Sequence, residues 1–315
     1  MEKAALEWIN QTIYSMNFRF FKITGKLIAL VAVISMASCK KDSSLSNSTN
    51  TNALILSDSS TVADNSYYDV LNNAFYGFAD NSTVWSASTL HSGKTSTFST
   101  EHTEGVNTGN LSCAIYTLSD TVQGEYPKTL TMDFGTGCTS TDGILRSGKL
   151  TYLFSGPLLY PGTTASVTFT NYVVNGYGLQ GSYSITNNSN QTSISITTTV
   201  TNGIITNPNA TNYHYSHNRT YTMIAGSSTP FNISDDVYSI TGNSSFSTSD
   251  GSSLVWTIVP ATPLIKAVSC RYISQGVVDF VYNQSVNGSI DFGNGTCDNA
   301  ATITIGGIQH PITLR

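Results

Sequence analysis

The chain has 315 residues, of which only 10% are charged and about a third are Ser, Thr or Asn, with a formal net charge of −5. Removing residues 1–38, which hold four basic and two acidic residues, leaves 10 basic against 17 acidic, a net charge of −7. That balance excludes phosphate-backbone binding, which depends on clustered Lys and Arg, so nucleic acid is not an expected partner.

Near the N-terminus, Arg19, Lys22 and Lys26 precede an apolar run from Leu27 through Ile34, which is followed by Met36-Ala37-Ser38-Cys39. The run is shorter than the roughly 20 apolar residues of a bilayer span and fits the core of a signal peptide. Met36 to Cys39 resembles a bacterial lipobox. Residues 1–38 are therefore expected to be a lipoprotein signal peptide, with lipid on the Cys39 thiol and translation starting at Met16, because Glu2 and Glu7 ahead of the basic stretch fit no signal pattern. The expected membrane partner is reached through that lipid anchor. Residues 39–60 are rich in Ser, Asn and Thr with little to bury, and they read as a flexible tether.

The β domain is expected over 61–315. At its start, Tyr67, Val70, Leu71, Ala74, Phe75 and Phe78 recur at spacings of three and four, which predicts an amphipathic helix over 64–78 capped by Asp64 and ended at Gly77. Beyond Leu111 the period changes to two. Runs such as Ala165–Val174, Thr192–Val200, Val237–Phe246 and Leu254–Val259 predict half-buried antiparallel strands, roughly a dozen in all. Asp142-Gly143, Asn175-Gly176, Asn202-Gly203, Asp250-Gly251 and Gly306-Gly307 supply the positive φ of tight hairpins. Short links imply an all-β antiparallel meander forming a sandwich, a barrel or a curved sheet. A break between two lobes is expected near 206–211, at Pro208.

With Cys39 assigned to lipid, Cys113, Cys138, Cys270 and Cys297 remain. Local pairing, Cys113 with Cys138 and Cys270 with Cys297, closes two loops, each removing roughly 3.5 kcal/mol of unfolded-state entropy under loop-closure theory. Zinc would want short C-x2-C spacing or clustered histidines, which are missing. Disulfides imply an oxidising compartment.

Each cysteine pair ends on an echoed segment: Thr131-Met132-Asp133-Phe134-Gly135-Thr136-Gly137-Cys138 recurs as Ser289-Ile290-Asp291-Phe292-Gly293-Asn294-Gly295-Thr296-Cys297. The echo reads as two stapled hairpins in which glycine lets the backbone turn sharply. Asp133, Asp142, Asp291 and Asp298 offer oxygen ligands for calcium, but the D-x-[DN]-x-[DN]-G loop is missing, and turn aspartates bonding their own backbone are the simpler reading. No metal or other cofactor is expected.

These segments, with Tyr126-Pro127-Lys128, Asn171 to Gly176 and Gly242-Asn243-Ser244, resemble a group of uncharacterised presumed lipoproteins from Bacteroidota, marked by D-[FY]-G-x-G-C and a C-terminal D-[FY]-G-x-G-x-C-D-N. The resemblance spans most of 64–315 and implies no activity. Lys40-Lys41-Asp42 is similar to the charged residues after the lipidated cysteine of surface-sent lipoproteins of that phylum, which favours the cell-surface side of the outer membrane over its periplasmic face.

Candidate chemistry is thin. His214 and His217 are three apart on a strand and point to opposite faces, so they read as solvated histidines. His91, His102 and His310 have no partner in sequence, and Glu101, His102 and Glu104 read as surface. No G-x-S-x-G elbow exists. Tyr152, Tyr160, Tyr172, Tyr177, Tyr183, Tyr213, Tyr215 and Tyr221 are the better clue, because exposed aromatics beside Asn and Thr suit a glycan or protein partner, although most should be core or cross-strand pairs. Non-catalytic binding or envelope scaffolding is the first expectation. A hydrolase of polysaccharide or peptide is the second, with Asp133 and Asp291 as its carboxylates. Carriage of an apolar ligand in a curved sheet with the helix as a lid is the third.

Overall fold

The computed structural model describes residues 43–80, 96–98, 113–119, 125–158, 160–229 and 232–315. His91, His102, Glu101 and Glu104 lie outside them, as do residues 1–38 and Cys39. Residues 47–315 form one unit.

The helix α1 spans Ser43–Asp80, 38 residues, and among the described residues it is followed by sixteen strands in one antiparallel sheet. The fold class is the expected one, an all-β meander with one N-terminal helix. In chain order the strands are β1 (Ser96–Phe98), β2 (Ile115–Ser119), β3 (Lys128–Asp133), β4 (Cys138–Thr139), β5 (Leu145–Phe154), β6 (Thr164–Val174), β7 (Tyr177–Asn187) and β8 (Ser195–Thr206). They continue as β9 (Asn212–Ala225), β10 (Val237–Thr248), β11 (Ser253–Ile258), β12 (Leu264–Ala267), β13 (Gln275–Tyr282), β14 (Val286–Asn294), β15 (Ala300–Ile305) and β16 (Ile308–Thr313). Each strand pairs with the next along the path, except that β4 lies beside β5 and β12 bridges β10 and β13.

The sheet curls around the helix. Phe75 and Gly77 are only about 3 Å apart along the helix axis. Yet Phe75 stacks on Tyr238 of β10 at 5.9 Å between ring centroids, while Gly77 lies against Leu130 and Met132 of β3. Six strand spacings separate β3 from β10, about 29 Å on a flat sheet, so only a curved sheet lets one helical turn touch both. Among the described residues the strands run as one open path whose end strands, β1 and β16, do not pair with each other, so of the three architectures expected the curved sheet is the one they form.

The helix begins well before residue 64, so residues 43–60 are helical and not a tether. Ala53, Leu56, Ser57 and Ser60 are buried. Ser and Thr are poor helix formers alone, but here their hydroxyls bond the helix's own carbonyls: Ser57 to Ala53 O, Ser60 to Ser57 O, Thr61 to Asp58 O and Ser66 to Val62 O, each at 2.7 Å. Satisfied in this way, small polar side chains can be buried against the sheet. Neither end assignment holds: Asp64 lies inside the helix, and Gly77 is a close-approach site where a side chain would meet Leu130 and Met132.

Four of the five glycine dipeptides make the expected strand connections, and residues 206–211 are simply the β8–β9 turn of a continuous sheet, not a break between lobes. Asn202-Gly203 differs. It lies inside β8 at a bulge, where the register to β7 and β9 shifts. Positive φ at Asn202 (50°) serves a bulge as well as a turn, and Tyr67 of the helix inserts there, donating to Gln180 O at 2.6 Å with Ile204 O at 3.3 Å.

Candidate functional site

Both expected disulfides form, Cys113–Cys138 with Cα atoms 5.9 Å apart and Cys270–Cys297 at 5.7 Å. The echoed turns are built alike. Asp133 Oδ1 accepts the Gly135 N–H and Asp291 Oδ1 the Gly293 N–H, both at 2.9 Å; Asp142 and Asp298 accept from Ile144 and Ala300 in the same way. The four carboxylates do not gather. Asp133 pairs with Lys149 at 2.7 Å, and that bond, with the Gly135 N–H, holds its carboxyl below the usual range. Asp142 faces the helix, whereas Asp291 and Asp298 line a separate hollow of about 170 Å³. Among the described residues no three His, Cys, Asp or Glu side chains group as metal ligands.

Most of the eight tyrosines are core, as expected, and they form no broad exposed aromatic surface. Tyr152, Tyr172, Tyr183, Tyr215 and Tyr221 are buried, and among the eight only Tyr160 is exposed. They face inward because the helix fills the concave side: Tyr67 stacks on Tyr215 at 5.0 Å, and Tyr152 donates to Val70 O at 2.7 Å. His214 is exposed, but His217 is buried and not solvated as expected. With Tyr215 donating to the Asp64 carboxylate at 2.7 Å, neutral His217 donates from Nδ1 to the Tyr215 oxygen (3.1 Å) and accepts at Nε2 from Thr198 (2.9 Å). Burial, with the Arg219 charge adding, holds its pKa well below the ordinary value.

Two buried ion pairs fasten the helix to the sheet. Arg146 of β5 bonds Asp69 and also Asp142, and Tyr172 donates to Asp69 at 2.6 Å. Arg219 of β9 bonds Asp64 at 2.8 Å and sits over Trp256. Arg146 and Arg219 stood out in sequence only as residues of strands, yet for Arg219 the signal was present: in β9, Tyr215, His217, Arg219 and Tyr221 share one face at period two, so a charge stands at core parity.

Beside the helix, a cleft of about 440 Å³ opens between the turns at 142–144, 174–177 and 208 and the segment 266–271. The helix supplies Val62, Ser66, Tyr68, Asp69 and Asn72 as its floor; Asp142, Ile144, Val174, Tyr177 and Pro208 form one wall; Lys266, Val268, Cys270 and Arg271 form the other. Lys266 holds inward parity with Leu264 on β12, where its stem is buried and its ammonium lies 4.7 Å from the Tyr68 ring centroid. Its Nζ donates to the carbonyls of Cys270 and Ala267. Burial pulls its pKa down to about 7, against the opposing charge of Asp69. The Cys270–Cys297 bond fixes the loop that provides one of those carbonyls.

The chain matches no protein-family model, no curated protein and no solved structure among those compared. No helix among the described residues is long and apolar enough to cross a membrane.

Proposed function

We propose that this chain is a lipid-anchored envelope protein with a non-catalytic binding role, its ligand seated in the cleft beside the helix. The observation that carries the reading is how the site's charged groups are used. Asp64, Asp69, Asp142, Arg146 and Arg219 are committed to ion pairs that fasten the helix, while the cleft beside them mixes apolar residues, Val62, Ile144, Val174, Pro208 and Val268, with polar ones. A concavity of this size and make-up suits a small ligand. The same ion pairs weigh against the helix acting as a lid, because lifting it would strand buried charges.

The lipobox at Cys39 supports anchoring, and Lys40-Lys41-Asp42 supports display at the cell surface. Globomycin treatment or Cys39→Ala is expected to leave unprocessed or soluble protein. Membrane association that survives both would reject the anchor, and surface labelling of intact cells reports the side displayed.

A further inference from the structure

An ammonium carries three donors. The structure uses two of those on Lys266, for the Cys270 and Ala267 carbonyls, and gives it no carboxylate among the described residues. Tyr68, whose ring the ammonium approaches and which lines the cleft, carries a buried hydroxyl with no hydrogen-bond partner among the described residues. Buried polar groups are nearly always satisfied, so an orphaned hydroxyl beside an unpaired ammonium calls for an acceptor. Arg271, likewise outside any ion pair described, adds positive charge to the same wall. The rest of the lining is mixed: Val62, Ile144, Val174, Pro208 and Val268 give it an apolar share, and Asn65, Ser66, Asn72, Asn175 and Ser269 a polar one.

Resting on the reading of the cleft as a ligand seat, we propose that it takes a small monoanion, a carboxylate on an apolar body, whose oxygens accept from Lys266 Nζ and Tyr68 Oη. The carboxylate supplies the counterion that the fold withholds from Lys266, and the apolar body lies along the valine and isoleucine walls. Binding therefore recharges the amine and takes up a proton from solution near pH 8. The groups around Lys266 are Tyr68 and Asp69 of the helix, Tyr238 of the neighbouring β10 with Asp236 just before that strand, and, lining the same cleft, Asp142 with its partner Arg146, Arg271 and Arg315. Asp69 and Asp142 are both held by Arg146, and Arg315 by Asp58. Lys266 and Arg271 are thus the cations among them without a carboxylate among the described residues, and Lys266 is the buried one.

The test is titration calorimetry of the full chain carrying Cys39→Ala with octanoate and with 1-octanol, at pH 8 in Tris and in HEPES. Octanoate is expected to bind one to one with uptake approaching one proton, seen as a buffer-dependent heat, and octanol at least about tenfold more weakly. Lys266→Met should weaken octanoate by about tenfold or more while leaving octanol unchanged, and Tyr68→Phe should weaken octanoate several-fold. Equal binding of octanol and octanoate, or octanoate binding that Lys266→Met leaves intact, overturns the anion assignment and keeps the cleft as a seat. No heat with either compound overturns both.

Discussion

Asp69 and Arg146, 77 residues apart in sequence, meet in the core with Arg146 Nε donating to Asp69 Oδ2 at 3.0 Å, and neither side chain is more than 5% exposed. The pair joins the middle of the helix to the strand that follows the first stapled turn, and Asp142 of that turn completes it at 2.8 Å. Helix, turn and sheet therefore share one buried charge cluster.

Asp69 is the more deeply buried of the two carboxylates that Arg146 bonds, so losing its charge leaves the buried guanidinium with Asp142 alone. Asp69→Asn is expected to cost about 3–5 kcal/mol in urea unfolding. Adding Arg146→Met to it should restore much of the loss, because an apolar replacement needs no counterion. A double-mutant cycle measures the coupling, and additive losses from the two changes would reject it.

Lys266 destabilises the fold while it is charged. Its folded pKa is about 7 against 10.5 for a solvated lysine, so between those values the unfolded chain binds the extra proton and stability rises with pH. The penalty is fully present below pH 7 and is relieved as pH approaches 10.5. Lys266→Met should therefore be more stable than the wild type at pH 6–7, by up to roughly 5 kcal/mol, with the gap closing toward pH 10. Melting curves at several pH values check this, and a gap independent of pH would contradict the burial argument.

His217 acts on the acid side. Its folded pKa is held well below 6.5, so below that pH the unfolded chain gains a proton that the folded chain refuses, and stability falls. The contribution is about 1.4 kcal/mol per pH unit below 6.5. Asp236, raised to about 6 by burial, works in the opposite sense, and comparing wild type with His217→Gln cancels it. The variant should lose less stability between pH 6.5 and 4.5.

Gly203 leaves room for the Tyr67 hydroxyl: a Cβ there would lie 2.6 Å from Tyr215 O and 2.8 Å from Tyr67 Oη. Backbone on one side cannot yield as a flexible side chain does, so Gly203→Ala should cost about 1–3 kcal/mol. Tyr67→Phe, which removes the hydroxyl bonded to Gln180 O, should cost about 1–2 kcal/mol. Thermal denaturation of both variants and of the double variant tests whether they act at one site, in which case the two losses are less than additive.

The echoed aspartates are turn residues, so a calcium titration should leave the melting temperature of the wild type and of Asp133→Asn, Asp291→Asn unchanged. The double variant itself should lose about 1 kcal/mol or less per site, since an Asn oxygen still accepts the glycine N–H. Calcium stabilisation present in the wild type and lost in the variant would reopen the metal reading.

Local pattern determined much of this protein. Period-two alternation fixed the strands, glycine dipeptides fixed most turns, cysteine spacing fixed the two staples, and the spacing from Tyr67 to Phe75 fixed the centre of the helix, because each depends on residues close together in the chain. What only the tertiary structure decided depends on the curl. The Ser/Thr-rich segment from Ser43 becomes helix because Ala53, Leu56 and its self-bonded hydroxyls are buried. Asn202-Gly203 becomes a bulge because Tyr67 arrives there. The tyrosines face inward, and Lys266 meets Tyr68, because the concave face closes on the helix from strands far apart in sequence. Alternation tells which residues share a face of a strand; which face is concave, and what fills it, is settled by the packing of the whole sheet.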